Sequence, residues 1–451
     1  MTPTRFAPQP VSPGACSSRC GSPLATVEPV SDRKRRGVWY TPLDLVEAVV
    51  AQAVYPGALT ALDPACGDGR FLRATGLPSL TGVDIDPRSW VSTLTGEPET
   101  HEQAADAMFI HDDALRRDWG DQRFDVVVGN PPFLNQMATL TTRGGSSRWG
   151  GGPYADAAAE FLSLALHLTR PGGRFGLVLP QSLLSTRDAA AIRQRVDEQA
   201  ALRWMWWTDT MMFDANVRVW AGVWEVGGSP GLVQRAAGPQ FDWRSSVAMP
   251  STWASLLLDD GQTTLADSAS GAAVGNIGTL GDIATFAVDF RQHYYAVADA
   301  LVDSDGDAVG ELDGCPPLVN SGLIDPGECL WGRRPARVAK RSWNAPRVDL
   351  QRLSPSMRAW AQTRLVPKIL IANQTKVIEA VHDADGAWLP GVPVITCLTN
   401  QPERVLTTLS SDRATRWVHA HAAGSGLGAG SVRLTPALLA SIPLRSRTTD
   451  R

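Results

Sequence analysis

Ala61-Leu62-Asp63-Pro64-Ala65-Cys66-Gly67-Asp68-Gly69-Arg70-Phe71-Leu72 is the stretch that sets the architecture. Its apolar lead-in, Gly-x-Gly turn and following Phe-Leu read as a strand, a tight loop and the start of a helix. Glycines at such a turn let the backbone come close to a ligand, as in nucleotide-binding strand-to-helix turns. The spacing is not G-x-G-x-x-G, so a dinucleotide is not indicated.

Outward from this loop, the next strand ends in Thr81-Gly82-Val83-Asp84-Ile85-Asp86-Pro87. A carboxylate at the carboxyl end of a second strand is placed to hold a ribose diol, and Asp84 suits that better than the turn residue Asp86. A further acidic turn, His111-Asp112-Asp113-Ala114-Leu115, offers Asp113 either as an acceptor for an adenine amino group or as a helix cap. In the first case Ala114 and Ile85 flank the purine ring.

The apolar run Phe124-Asp125-Val126-Val127-Val128-Gly129 then stops at Asn130-Pro131-Pro132-Phe133. Two prolines end the strand's ladder and leave carbonyls pointing in defined directions. Asn130 adds a side-chain acceptor and Phe133 a flat apolar face. Such a group fits the exocyclic amine of a planar heterocycle. Accepting both N–H bonds, at Asn130 and at the Pro131 carbonyl, draws the nitrogen toward tetrahedral geometry and frees its lone pair for attack. A proline-rich turn after an ordinary strand is the other reading of these four residues alone.

Together these motifs resemble those of N6-adenine DNA methyltransferases that use S-adenosylmethionine, of the gamma type. In that class the cofactor motifs precede the catalytic one and a target-recognition domain is C-terminal. Asp63 to Leu72 resembles the family's cofactor loop, which implies cofactor contacts at Asp63, Ala65, Cys66, Gly67 and Gly69, with Asp84, Ile85, Asp113, Ala114 and Asn130 completing the set. Gly37-Val38-Trp39-Tyr40-Thr41-Pro42 is similar to the segment that packs over the cofactor's methionine part, through Tyr40, Thr41 and Pro42. Asn130, Pro131, Pro132 and Phe133 match the catalytic tetrapeptide. Phe213 matches an aromatic that stacks on the other face of the flipped adenine, or else it packs in the core.

The resemblance implies an α/β fold: a Rossmann-like methyltransferase domain with a mixed seven-stranded sheet, then an α+β target-recognition domain. The expected divisions are a disordered leader at 1–36, a catalytic domain at 37–228 and a recognition domain at 229–451. Ala157 to Leu168 reads as a helix stopped by Arg170-Pro171-Gly172-Gly173-Arg174, followed by a buried strand, Phe175 to Pro180. Trp206, Trp220 and Trp224 are expected in the core. Gly227-Gly228-Ser229-Pro230-Gly231 reads as a linker. Beyond it, Gly281 to Phe286, Pro316 to Ile324, Pro367 to Asn373 and Leu434 to Leu444 resemble recognition-domain segments. Gly424-Ser425-Gly426-Leu427-Gly428-Ala429-Gly430 reads as a flexible connection or as a loop ordered by a ligand.

The chain has 451 residues, long enough for two domains, with 43% hydrophobic and 20% charged residues, as in globular proteins. It shows no apolar run of membrane-spanning length and no signal peptide, so a cytoplasmic location is expected. Six cysteines lack paired metal-ligand spacing, and no metal or disulfide is expected. The net charge of −4 does not advertise nucleic acid, but the distribution does. Asp259 to Asp313 is acidic. Arg333 to Lys376 carries eleven cations against Asp349, and reads as a phosphate-tracking segment or a solvated basic face. Arg33-Lys34-Arg35-Arg36 reads as a solvated tail or a phosphate contact.

The expected partner is double-stranded DNA, with a separate restriction endonuclease and a monomeric state. The competing readings are an RNA or protein-amide methyltransferase, and a catalytically inactive DNA-binding subunit.

Overall fold

The computed structural model describes residues 41–87, 89, 106–133, 147–153, 155–210, 212, 217–258, 278–289, 291–303 and 314–444. The leader with its basic run, Tyr40 and Phe213 lie outside them.

Helix α1 (Leu43–Ala53) starts after Pro42 and buries Leu45, Val46, Val49, Val50 and Ala53, the spacing of one helical face. There follow β1 (Thr60–Asp63), α2 (Arg70–Thr75), β2 (Ser79–Asp84), β3 (Asp106–His111) and β4 (Phe124–Gly129). Next come α3 (Ala157–Leu168), β5 (Thr169–Pro180), α4 (Ala190–Gln199), β6 (Ala200–Trp207), β7 (Val219–Val226), β8 (Leu232–Ala237) and β9 (Asp242–Ala248). The strands form one mixed sheet in the order β3-β2-β1-β4-β5-β7-β6-β8-β9.

β3, β2, β1, β4 and β5 are parallel neighbours, and β7 is antiparallel to both β5 and β6. Helices cover both faces, and the strands alternate accordingly. Ala61, Val126 and Val128 pack with α1 and α2, whereas Leu62 and Val127 pack with α3 and α4. Trp206, Trp220 and Trp224 are fully buried, as expected, with Trp224 stacked on Phe175 at 5.0 Å between ring centroids.

The sheet departs from expectation in two places. It has nine strands rather than seven, because β8 pairs parallel with β6 and β9 pairs antiparallel with β8. The Gly227 to Gly231 segment is therefore a turn between strands of one sheet, and the expected boundary at 228/229 falls inside that sheet. What holds the addition is a charged residue. Arg235 is 2% exposed in β8 and donates to the Ser245 hydroxyl and to the Leu256 and Leu258 carbonyls. Second, α3 ends at Leu168 as expected but passes directly into β5, which starts at Thr169 rather than Phe175, so Arg170 to Arg174 is an irregular excursion of that strand against β4.

Beyond residue 278 the largest sheet has four antiparallel strands: β10 (Ala284–Val288), β11 (Lys368–Ile371), β12 (Ala380–Asp383) and β13 (Ile395–Thr399). Its core joins Ile369, Ile371, Ile395 and Cys397 to the helices Pro402–Leu409 and Asp412–Ala422. The basic segment is largely consumed internally. Arg334 pairs with Asp325 at 2.9 Å, Arg364 with Asp289 at 2.7 Å and the fully buried Lys368 with Asp383 at 2.5 Å. Arg337, Lys340 and Arg341 stay exposed on the hairpin Ala336–Val338/Arg341–Trp343.

Candidate active site

The strand order turns back between β1 and β4, and in open α/β sheets a ligand crevice lies at the carboxyl ends of the strands flanking such a point. Asp63 closes β1 and Asn130 follows β4, so both stand at this crevice.

The loop after β1 is shaped by its glycines. Gly67 and Gly69 have φ of +50° and +75°, in the left-handed region that glycine adopts without strain. A Cβ on Gly67 would meet nothing within 4 Å, so the backbone there faces open space. Asp84 ties the loop to β2: one carboxylate oxygen accepts the Gly67 N–H at 2.8 Å and the other accepts the Asp86 N–H at 2.9 Å. Each oxygen keeps acceptor capacity for a hydroxyl. Ile85, next along, is 58% exposed, an apolar surface at the mouth of the crevice.

Asp63 is 1% exposed and accepts the Ala65 N–H at 3.0 Å. Burial pushes its carboxyl well above the ordinary range, and the nearby carboxylates of Asp84 and Asp68 push it the same way. Cys66 is buried as well; burial and then the Asp63 and Asp84 charges raise its thiol, so it is a packing residue rather than a nucleophile.

Thr41 links the loop to the tetrapeptide. Its hydroxyl accepts from the Asn130 side-chain amide at 3.0 Å, and its carbonyl accepts from the Arg70 guanidinium, which also binds Asp68. The amide nitrogen of Asn130 is turned to Thr41, with Oδ1 the other end of the amide. Pro131 is buried, and Phe133 is half-buried against the cores on both faces of the sheet.

Asp113 and Ala114 make local contacts, Asp113 in the capping role that was one of its two readings. One oxygen of Asp113 accepts the Leu115 N–H at 3.0 Å and the other pairs with Arg116 at 3.3 Å, so the carboxylate is a local turn cap. Ala114 is 2% exposed within the α3-side core. Sequence reading missed Arg70 as the partner of Thr41. It also missed Arg218, whose guanidinium reaches the Gly428 carbonyl at 2.6 Å across the chain. Arg70 lies within the cofactor-loop motif but its partner is 29 residues away, and Arg218 carries no motif that would have marked it.

Residues 80–210, which include Asp84 and Asn130, match the family model of the Eco57I restriction-modification methylase. The Type II methyltransferase M.CvrRI of Paramecium bursaria Chlorella virus XZ-6E is 29% identical over 110 residues, 23% of this chain and 26% of that protein. A Type II methyltransferase of Thermus thermophilus is 28% identical over 188 residues, 37% of this chain and 40% of that protein. The match thus spans less than half of either relative's length. The fold is shared with the Type IIL restriction-modification enzyme MmeI, solved in complex with DNA, at a TM-score of 0.53 and 14% identity, over 88% of this chain and 63% of that one. The methylase resemblance read from the motifs is borne out on the matched segment. No helix among the described residues is long and apolar enough to cross a membrane.

Proposed function

We propose that this chain is a site-specific DNA adenine-N6 methyltransferase of a restriction-modification system. In this reading it acts as a monomer on double-stranded DNA beside a separate endonuclease. The observation that supports the reading is the Thr41–Asn130 hydrogen bond, which ties the tetrapeptide to the segment that Arg70 links to the loop after β1.

The residues present fit S-adenosylmethionine. The open backbone at Gly67, the carboxylate of Asp84 and the exposed face of Ile85 would hold its nucleoside part, and the Asp63 carboxyl and Thr41 border the rest of the crevice. When bound, that cofactor supplies a methyl group on a cationic sulfur. The chain's own work is to hold the amine. Asn130 Oδ1 and the Pro131 carbonyl accept its two N–H bonds, Phe133 stacks on the ring, and the lone pair is left directed at the methyl carbon. Positioning of this kind supplies up to about 7–11 kcal/mol of a barrier without a strong base. The adenine must leave the duplex to reach Asn130, which makes base flipping part of the reading.

Tritiated S-adenosylmethionine, incubated with the full chain and a mixture of plasmid DNA, RNA and protein, tests this directly. Label in DNA, located at N6 of adenine by sequencing, is the expected result; label confined to RNA or protein refutes it. Asn130→Ala should lower transfer by about 10³-fold, the scale of losing a charge-stabilising acceptor or donor. Cofactor affinity by calorimetry should stay within about threefold of the unsubstituted chain, since the lost interaction belongs to the transition state.

A further inference from the structure

The run Gly424 to Gly430 is a fitted loop rather than a slack connection. Gly424 has φ +80°, and a Cβ there would meet the Gln181 carbonyl oxygen at 2.7 Å. A Cβ on Gly426 would collide with the Ser431 carbonyl. The Ser431 hydroxyl accepts the Gly428 N–H at 2.8 Å and donates to the Gly428 carbonyl at 2.7 Å. At the loop's apex the Leu427 N–H donates to Gln374 Oε1 at 3.2 Å, and the Leu427 carbonyl accepts from Arg218 at 3.2 Å. The backbone of Leu427 is therefore held from both sides, while its side chain is 78% exposed.

The topology places this side chain at the active edge. Arg218 immediately precedes β7, and its carbonyl accepts the N–H of Gln181, the residue after β5, at 2.9 Å. β5 lies parallel to β4, with Leu177 opposite Gly129, so Gln181 and Arg218 stand at the same carboxyl edge from which Asn130 emerges. The surroundings hold cations and one carboxylate, Asp209, which shares a cleft with Arg218, Gly424 and Ser431. Arg433, paired with Gln374, is exposed, as is Lys376, and from Arg413 to Thr449 the chain contains no Asp or Glu. A solvated leucine on a braced loop, flanked by cations at the mouth of the site, is suited to enter a base stack while the cations meet phosphates.

We propose that Leu427 is a wedge residue that enters the DNA base stack at the target and occupies space left when the adenine turns out toward Asn130. This rests on the methyltransferase reading and adds to it a device on the second half of the chain. Extruding a paired base costs free energy, and the cost is least for a mispaired one, so the wedge matters only where pairing is intact.

The test uses the full chain and an oligonucleotide duplex bearing the site found by sequencing methylated plasmid DNA. A second duplex carries a mismatch opposite the target adenine. Leu427→Ala should slow single-turnover methylation of the paired duplex about tenfold and leave the mismatched one within about twofold, since mispairing removes most of the extrusion cost. Leu427→Met should keep the unsubstituted rate on both. With 2-aminopurine at the target, Leu427→Ala should also show weaker fluorescence gain on binding. Equal rates for Leu427→Ala and the unsubstituted chain on the paired duplex overturn the wedge alone, as does an equal loss on both duplexes. A change of oligomeric state with methylation unaltered overturns it in favour of a protein contact. If the unsubstituted chain methylates no adenine, the adenine reading falls and the wedge with it.

Discussion

Asp63 and Asp125 lie on neighbouring parallel strands of one sheet, at opposite ends, and are 1% and 3% exposed. Asp125, at the amino end of β4, accepts from the Leu59 and Thr60 N–H groups, the Thr60 hydroxyl and the Tyr55 hydroxyl, and pairs with Arg170 at 2.8 Å. Burial raises its carboxyl, but the Leu59 and Thr60 donors with Arg170 outweigh burial and hold it below the ordinary range. Asp63, at the carboxyl end of β1, accepts the Ala65 N–H and has like charges for company, so burial wins and its carboxyl is raised. Among the described residues, one carboxylate has several donors and the other has the Ala65 N–H. The first arrangement closes a structure; the second suits a ligand that brings positive charge.

The largest effect should come from breaking the well-solvated member. Asp125→Ala strands two backbone N–H groups while Arg170, exposed, stays solvated, and should cost about 2–5 kcal/mol, at about 1–3 kcal/mol for each buried donor left without an acceptor. Urea unfolding of the two chains measures it. Cofactor affinity of the folded variant should be unchanged, because Asp125 lies at the end of the sheet away from Asn130. A loss of affinity without a loss of stability would reverse the roles assigned to the two aspartates.

Gly129→Ala attacks the other end through packing. A Cβ there would lie 2.5 Å from Asp63 Oδ1, so the Asp63 side chain must move or the strand must shift. Overpacking of this sort costs about 1–3 kcal/mol. Because the displaced group borders the crevice, cofactor affinity by calorimetry should fall with it, unlike in Asp125→Ala.

How much of this contrast the sequence carried depends on chain distance. The loop from Asp63 to Leu72, Asp84 at the end of β2 and Asn130 after β4 were legible because each motif's residues are adjacent and local geometry shapes them. The Asn130–Thr41 bond joins residues 89 apart, and the Arg218–Gly428 bond joins residues 210 apart, so no window of sequence contains either. The ion pairing within the basic segment was hidden for the same reason: Arg364 pairs with Asp289, 75 residues earlier. β8 was hidden because Arg235, a charged residue, occupies a buried strand position that the Ser245 hydroxyl, the Leu256 and Leu258 carbonyls and the Trp207 ring help make tolerable.

The smallest expected effect is the most discriminating, because the two aspartates should impose opposite pH dependences. Asp125, with a lowered carboxyl, gives up its proton in the folded chain before the unfolded one does. Its contribution to stability is complete above the unfolded value of about 3.9 and is lost as pH falls through the folded value. Asp63, with a raised carboxyl, keeps its proton in the folded chain after the unfolded chain has ionised. Stability due to it is complete below about 3.9 and declines as pH rises toward the folded value. Asp63→Asn removes the titration while retaining an acceptor for the Ala65 N–H. Its urea midpoint, relative to the unsubstituted chain, should therefore climb as pH is raised above about 3.9 and level off only above the raised folded value, whereas that of Asp125→Asn should drop as pH rises toward about 3.9 and then stay level. Parallel curves for the two variants would mean that the Asp63 carboxylate is as well solvated as that of Asp125, and the contrast between the two ends of the sheet would be lost.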